Sequence, residues 1–144
     1  MIPAKRLLIA DDDPRDVELA LLALGAAGLG ARVDVVRDGE GVLDYLRARG
    51  REALPAAILL DLKMPGMHGA EVVRAIRADN ACRAVPVVIF TSSRHERDVE
   101  ACQAAGANAY VVKPVDFQDF TEAVANLGAF WLGRNVTAPF RPIH

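Results

Sequence analysis

Three carboxylates, a hydroxyl group and an ammonium group each follow a short apolar run in this sequence. They are Asp11 and Asp12 after residues 7–10, Asp61 after residues 57–60, Thr91 after residues 87–90, and Lys113 after residues 109–112. Carboxylate oxygens are the ligands that Mg²⁺ prefers, and a carboxylate can also accept a phosphoryl group. A hydroxyl donor and a fixed cation can balance the charge on the transferred oxygens. These residue types predict phosphoryl chemistry beside a divalent cation.

The apolar runs alternate with segments in which apolar residues recur every three or four positions, as in helices. A strand followed by a helix occurs five times, which predicts a parallel α/β sheet covered by helices on both faces. The carboxyl ends of parallel strands share one edge of the sheet. We therefore expect the five polar residues to converge there. Because clustered carboxylates repel one another, at least one of them should bind a proton unusually readily when no cation is present.

Capping and periodicity predict where individual helices begin and what they bury. Asp13 is the expected N-cap of the first helix, ahead of Pro14, rather than a third metal ligand. The spacing of Ser93 and Glu96 predicts a capping box for the fourth helix. The last helix carries an apolar stripe that should pack on the sheet; its members are Phe117, Phe120, Val124, Leu127 and Trp131.

Composition excludes several classes of protein. The chain has 144 residues and a net charge of −2, which suits one globular domain and argues against nucleic-acid binding. No apolar run approaches the roughly 20 residues that cross a bilayer, and no signal peptide is recognisable, so we expect a cytoplasmic protein. Cys82 and Cys102 are expected to be buried thiols. His68, His95 and His144 lack metal-ligand spacing and are expected at the surface.

Four blocks of this sequence together match a known family. They are LLIADDDP at 7–14, LDLKMPGMHG at 60–69, FTSS at 90–93 and KP at 113–114. In this order they resemble the CheY-like receiver domain of two-component response regulators, over nearly the whole chain. The resemblance implies a flavodoxin-like (βα)5 fold, doubly wound, with five parallel strands in the order 2-1-3-4-5. It gives a receiver domain over residues 1–132 and a short apolar tail over 133–144.

The resemblance also implies how the acidic residues act. Asp61 is the expected phosphoacceptor, which receives its phosphoryl group from a phosphohistidine of a sensor histidine kinase. Asp12 is expected to bind Mg²⁺ directly, and Asp11 directly or through water. Asp61 and the backbone carbonyl of Lys63 complete the expected protein ligands. Lys63 and Ser93 also stand where side chains can influence an attacking water, in a direction that the sequence does not give.

Three further residues take expected roles from the same resemblance. Lys113 is the expected phosphate-binding lysine, and the bond between Lys113 and Pro114 is expected to be cis. Thr91 and Tyr110 form the expected switch pair, in which the hydroxyl moves toward the phosphoryl group and the aromatic ring follows inward. For Tyr110 a half-buried, purely structural position is nearly as good an interpretation.

The end of the chain has a narrower likeness. The segments YVVKPVDF at 110–117 and FWL at 130–132 resemble stand-alone regulators that partner phytochrome-type sensor kinases. This implies a bacteriophytochrome as the kinase. The last residues are unusually apolar, which is typical of an interface; they are Phe130, Trp131, Leu132, Val136, Phe140 and Ile143. We expect helix five and the tail to form a two-fold homodimer contact, with a tail that folds back on its own domain as the alternative.

The functional prediction is a stand-alone response regulator that is not an enzyme and signals through a changed protein-interaction surface. The main alternative is a phosphatase of the Asp-x-Asp type, because Asp11 and Asp13 have that spacing. That family also needs an acidic pair beyond its lysine, which Lys113 lacks here. A phosphorylation-independent scaffold is the third possibility, although all the acidic, hydroxyl and lysine positions are intact.

Overall fold

The structure is a computed structural model that describes residues 5–133 and the backbone of residues 142–143. Its centre is one parallel sheet in the order β2-β1-β3-β4-β5-β6. The strands are β1 (Leu7–Ala10), β2 (Val33–Val36), β3 (Ala57–Leu60), β4 (Val87–Thr91), β5 (Ala109–Val112) and β6 (Pro142–Ile143). The predicted order 2-1-3-4-5 is confirmed for the first five strands. The short β6 was not predicted.

Within residues 5–133, five helices cover the sheet on both faces. They are α1 (Pro14–Ala26), α2 (Gly39–Ala48), α3 (Gly69–Ala78), α4 (Glu96–Ala105) and α5 (Phe117–Gly133), with single 3₁₀ turns at Gly30–Arg32 and Arg51–Ala53. Helices α1 and α5 share one apolar core with alternate strand residues, such as Leu7 and Leu59. Helices α2, α3 and α4 share the other core with Leu8 and Ile58. Because successive strand side chains point to opposite faces, both faces of the sheet are apolar. Strands β1, β3 and β4 are buried throughout, and β2 is half-buried.

The N-cap of α1 agrees with the sequence prediction, and the N-cap of α4 does not. The Asp13 carboxylate caps α1, as predicted, by accepting hydrogen bonds from the backbone N–H groups of Arg15 and Asp16. The predicted Ser93–Glu96 capping box is wrong. The N-cap of α4 is His95, and its side chain makes no capping hydrogen bond. The loop after β4 runs two residues further than expected, so Ser93 lies before the helix.

A capping box that the sequence analysis missed begins α3. The ring nitrogen Nδ1 of His68 accepts a hydrogen bond from the backbone of Ala70 at 3.2 Å, and the Glu71 carboxylate accepts one from the His68 backbone at 3.4 Å. His68 and His95 are exposed, as expected. His144 lies outside the described residues. Cys82 and Cys102 are free and buried, as predicted, and burial, with the nearby Asp98 charge, raises the pKa of Cys102 to about 12.

The apolar stripe of α5 packs on the sheet except at its first residue. Phe120, Val124 and Trp131 are buried, whereas Phe117 is 62% exposed, so its predicted core position is wrong. Phe117 begins the helix, where the chain has not yet reached the core. Further along, Gly128 lets α5 approach α1 closely, because a β-carbon there would collide with Cδ2 of Leu24.

The expectations for the tail fall mostly on residues that the structure does not describe. Val136 and Phe140 lie outside the described residues, as does the side chain of Ile143. The backbone of residues 142–143 extends the sheet by pairing in parallel with Tyr110 and Val111 of β5. No helix among the described residues has the length and apolar character needed to span a membrane.

Arg77, at the end of α3, ties three segments together. Its guanidinium donates hydrogen bonds to the backbone oxygens of Gly106 at 3.0 Å, Arg83 at 2.8 Å and Val85 at 2.6 Å, and to Oδ1 of Asn108 at 2.8 Å. These acceptors belong to the segment before β4 and to the connection between α4 and β5. The arginine therefore fixes the C-terminal end of α4 against α3.

A second polar cluster surrounds Asp34 on β2. Its carboxylate accepts two hydrogen bonds from Arg6, at 2.8 and 3.0 Å, and one from the Tyr45 hydroxyl at 2.6 Å. Arg49 lies 3.5 Å from the same carboxylate and stacks over the Tyr45 ring. The hydrogen bonds from Arg6 hold the pKa of Asp34 below its ordinary value, although partial burial acts in the opposite direction.

Candidate functional site

Strand register places the polar residues side by side at one edge of the sheet. Ala10 and Leu60 are register partners on β1 and β3, so Asp11 and Asp61 follow at the same height. The backbone N–H of Asp61 donates to the Ala10 carbonyl at 2.9 Å. On the other side, the Lys113 N–H donates to the Thr91 carbonyl at 2.7 Å. The edge thus collects residues that are more than 100 positions apart in sequence.

Three carboxylates form the acidic part of the site. One oxygen each from Asp11, Asp12 and Asp61 lies within 4.8 Å of the others. Asp11 and Asp61 are buried, and Asp12 is exposed. Hard oxygen donors at this separation suit a divalent cation that keeps several water ligands. Across the described residues this is the one such group of potential ligands, and Asp13 lies outside it.

The Lys113 ammonium contacts three carboxylates at this edge of the sheet. Its Nζ lies 2.8 Å from Oδ2 of Asp11, 2.8 Å from Oδ2 of Asp16 and 3.1 Å from Oδ2 of Asp61. An ammonium carries three N–H donors, so all three are engaged. Burial by itself lowers the pKa of Lys113, but the hydrogen bonds to Asp11 and Asp16 and the charge of Asp61 outweigh burial and raise the pKa above its ordinary value. Lys113 is therefore a fixed cation.

Asp11 has the raised proton affinity that the sequence predicts for one carboxylate of the cluster. Its pKa lies above the ordinary value, mainly because the group is buried and secondarily because of the Asp61 charge. Hydrogen bonds from Lys113 and from the Asp13 backbone, the latter at 3.0 Å, act in the opposite direction. The predicted direction is confirmed, but desolvation contributes more than the expected repulsion between carboxylates.

Thr91 and Tyr110 are connected through Ser93. Thr91 is 1% exposed, and its hydroxyl accepts a hydrogen bond from the Ser93 backbone N–H at 3.4 Å. Tyr110 is also 1% exposed, and its hydroxyl donates to the Ser93 carbonyl at 3.0 Å. Burial raises the pKa of Tyr110, although its hydrogen bond with Ser93 acts in the opposite direction. The ring is fully buried rather than half-buried, and its role as a switch or as a purely structural residue stays a prediction.

The Ser93 side chain is directed at helix α4. Its hydroxyl donates to Oδ2 of Asp98 at 2.5 Å and accepts a hydrogen bond from the His95 backbone at 3.3 Å. Thr91, at the acidic edge, is thereby linked through Ser93 to the first turn of α4.

The residues that follow Asp61 and Lys113 carry two further expectations, a metal-binding carbonyl at Lys63 and a cis bond before Pro114. Lys63 is exposed, and its backbone N–H donates to Oδ1 of Asp61 at 3.4 Å; its carbonyl as a metal ligand stays a prediction. The expected cis bond between Lys113 and Pro114 is wrong, since the described residues contain no cis peptide bond.

Asp16 is the residue that the sequence analysis missed. The sequence alone marks it as a helical residue just after Pro14, yet its carboxylate contacts Lys113 as closely as that of Asp11 does. The available signal was its position three residues after an N-cap that itself follows a strand end. The first turn of such a helix faces the same edge of the sheet.

Residues 7–125 match the response regulator receiver domain family. The chain belongs to this family, and its strand order and acidic edge fit that membership. Among curated proteins, response regulator Rcp1 of Synechocystis sp. (strain PCC 6803) is 31% identical over 140 residues, which is 95% of each chain. A crystal structure of the Mn²⁺-bound form of Rcp1 matches with a TM-score of 0.80 and 30% identity, over 94% of this chain and 99% of that one.

Two further structures are similar over almost the whole chain. The phosphorylated cyanobacterial phytochrome response regulator RcpA matches with a TM-score of 0.83 and 29% identity, over 93% of this chain and 98% of that one. The bacteriophytochrome response regulator RtBRR has a TM-score of 0.71 and 46% identity, over 95% of this chain and 86% of that one. The structural neighbours of this chain therefore include phytochrome response regulators.

Proposed function

We propose that this receiver domain accepts a phosphoryl group from a sensor histidine kinase onto Asp61 and signals through a changed protein-interaction surface, without being an enzyme in the ordinary sense. The observation that carries the proposal is the position of Asp61. Its carboxylate is buried between the Lys113 ammonium and two further carboxylates. An aspartate that served only to end a strand would not need these neighbours.

Each group around Asp61 has a chemical task in the transfer. One Asp61 oxygen forms the new bond to phosphorus as the phosphorus–nitrogen bond of the kinase phosphohistidine breaks. Lys113 supplies a fixed positive charge for the phosphoryl oxygens, and the Thr91 hydroxyl can donate a hydrogen bond to one of them. These groups are already positioned at neighbouring strand ends.

The carboxylates of Asp11, Asp12 and Asp61, with the Lys63 carbonyl, would hold Mg²⁺. When bound, the cation balances the carboxylates and the negative charge of the transferring group. A related protein, Rcp1, has a Mn²⁺-bound form, which supports the binding of a divalent cation by this chain. Removing divalent cations with EDTA is expected to prevent phosphate incorporation.

The signal would leave the site through Thr91, Ser93 and Tyr110. A phosphoryl group on Asp61 adds negative charge within reach of the Thr91 hydroxyl. Movement of that hydroxyl disturbs its hydrogen bond with Ser93, which also binds Tyr110 and Asp98. The first turn of α4 is thereby the surface that responds.

The test is phosphate incorporation from acetyl phosphate with Mg²⁺, followed by intact-protein mass spectrometry. Wild-type protein is expected to gain one phosphoryl group, and Asp61→Asn to gain none. Asp44→Asn is a matched control, because Asp44 is an exposed aspartate on α2 with a side chain that is 75% exposed. Stable labelling of Asp61→Asn would reject the assignment of the phosphoacceptor.

The phosphatase alternative has less support. It needs Asp13 as a reacting group, whereas the Asp13 carboxylate is exposed and occupied in capping α1. Turnover of an aryl phosphate that is lost in Asp11→Asn would nevertheless favour it.

A bacteriophytochrome kinase is the proposed partner, supported by the similarity of almost the whole chain to the phytochrome response regulator RcpA and the bacteriophytochrome response regulator RtBRR. Phosphotransfer from purified bacteriophytochrome kinases should be much faster than from unrelated histidine kinases. Equal rates from both groups of kinases would contradict this choice of partner. A cytoplasmic location follows from such a partner's kinase domain.

A homodimer contact through α5 and the tail is proposed on the exposed apolar residues near the end of α5, such as Phe130, which is 42% exposed. Pairing of residues 142–143 with β5 of the same chain supports the alternative, in which the tail folds back. Sedimentation of the full chain beside a truncation after Leu132 separates them. A dimer that the truncation abolishes supports the contact, and two monomeric samples contradict it.

A further inference from the structure

Asp16 is the one carboxylate around Lys113 that lies outside the group of potential metal ligands. It nevertheless makes one of the two shortest contacts with the ammonium, at 2.8 Å, against 3.1 Å for Asp61. Its side chain is 23% exposed, compared with 7% for Asp11. Neither metal binding nor phosphoryl acceptance accounts for this contact.

The ammonium must give up a partner when a phosphoryl group arrives. All three of its N–H donors are directed at carboxylates. Phosphorylation would remove the negative charge of the Asp61 carboxylate itself, and a bound cation would share the charge of Asp11. Asp16 is neither the proposed phosphoacceptor nor a proposed metal ligand, so neither event engages its carboxylate.

We propose that Asp16 is a positioning residue that holds the Lys113 ammonium beside Asp61 during phosphoryl transfer. The proposal rests on the proposed function of Asp61. Without Asp16, the long lysine side chain would follow whichever of Asp11 and Asp61 carries more charge, and it would move as the metal and the phosphoryl group bind. With Asp16, the Lys113 ammonium keeps one hydrogen-bond partner whose position is fixed.

Helix α1 gives Asp16 a rigid base. The residue lies in the first turn, where its backbone N–H donates to the capping carboxylate of Asp13 at 3.3 Å. The neighbouring Val17 and Ala20 are buried in the core. Asp16 also lines the same small cavity as Asp61, together with Phe90 and Phe120. The carboxylate is thus built into the wall of the site.

The experiment compares Asp16→Asn with Glu18→Gln, which removes the same charge from an exposed position on the same helix. Phosphate incorporation from acetyl phosphate should be about tenfold slower in Asp16→Asn, as expected for the loss of a charge-assisted hydrogen bond. Glu18→Gln should match wild type. Thermal unfolding is measured for both variants and should not distinguish them. Their Mg²⁺ affinities, measured by calorimetry, should agree within about twofold.

A second measurement reports on Lys113 directly. The chain has three lysines, and exposed Lys63 provides an internal reference. Limited acylation with acetic anhydride, followed by peptide mass spectrometry, gives the ratio of modification at Lys113 to that at Lys63. This ratio should rise in Asp16→Asn and stay unchanged in Glu18→Gln. A merely structural role of Asp16 would slow phosphorylation without this rise.

The inference is overturned if Asp16→Asn incorporates phosphate at the wild-type rate, or if incorporation slows while Lys113 stays as protected as before. Asp16→Glu is the second variant, because it keeps the charge and should recover much of the rate. If wild-type protein takes up no phosphate, the proposed function fails first. The acylation ratio then still decides whether Asp16 holds Lys113.

Discussion

Replacing Lys113 with methionine should destabilise the protein substantially in the absence of a divalent cation. Methionine keeps the length and apolar stem of lysine but removes the charge that three carboxylates share. The side chains of Asp11 and Asp61 are only 7% and 11% exposed, so water cannot replace the ammonium. Removing one partner of such a buried ionic contact costs about 3–5 kcal/mol. Uptake of a proton by Asp11 offsets part of this, since its pKa is already raised by burial. We expect a net loss of about 3 kcal/mol, or roughly 10 °C in Tm for a domain of this size.

Urea unfolding in EDTA and again in MgCl₂ measures this loss and its cause. Because the carboxylates no longer share Lys113, the variant should bind Mg²⁺ more tightly than wild type and gain more stability from it. The difference between the two proteins should therefore shrink as MgCl₂ is added. Lys63→Met is the control, because it removes the same charge from an exposed position near Asp61 and should change stability by less than about 0.5 kcal/mol.

Two results would refute this reasoning. A loss in EDTA no larger than that of Lys63→Met would mean that the ammonium does not hold the carboxylates together in solution. A loss that is the same with and without MgCl₂ would mean that the cation does not enter this acidic group.

Three further predictions concern packing, pH and the link to α4. Gly128→Ala should lower stability by about 1 kcal/mol, because the β-carbon of the alanine meets the fully buried Leu24 side chain. This overpacking outweighs the higher helix propensity of alanine. A variant that is more stable than wild type in urea unfolding would contradict the prediction. Asp34→Asn should lose stability at neutral pH but not in acid: the folded-state pKa of Asp34 is depressed, so its contribution is complete above the unfolded pKa of about 3.9 and disappears as pH falls through the folded value. A pH-independent deficit in unfolding free energy would count against it. Tyr110→Phe removes the hydrogen bond to the Ser93 carbonyl and should lower stability by about 1 kcal/mol. Phosphate incorporation by Asp61 should stay within about twofold of wild type. A failure to incorporate phosphate would show that the tyrosine acts in the transfer itself.

The sheet and the acidic edge could be predicted because they depend on short-range patterns. Each apolar run ends on a polar residue, and parallel topology brings those ends together whatever lies between them. The register of Ala10 with Leu60 then follows from burial on both faces. Family motifs added the strand order, which apolar patterning alone leaves open.

The features that the sequence did not predict depend on distances across the fold. Asp16 looked like an ordinary first-turn acid, and only the position of α1 over the edge brings it to Lys113. Ser93 had the right spacing for a capping box, but a longer loop shifted the helix start to Glu96 and turned the hydroxyl toward Asp98. Phe117 has the right periodicity, yet it lies before α5 reaches the core.

The hydrogen bonds of Arg77 have a mechanical consequence for α4. They anchor the Gly106 end of the helix to α3 and to the segment before β4. The opposite end is joined to the acidic edge through the Ser93 hydroxyl, which donates to Asp98 and accepts a hydrogen bond from the His95 backbone. A rigid helix that is held at one end moves most at its other end. Any tilt of this helix would therefore be a pivot about Gly106, with its amplitude concentrated in the turn that begins at Glu96.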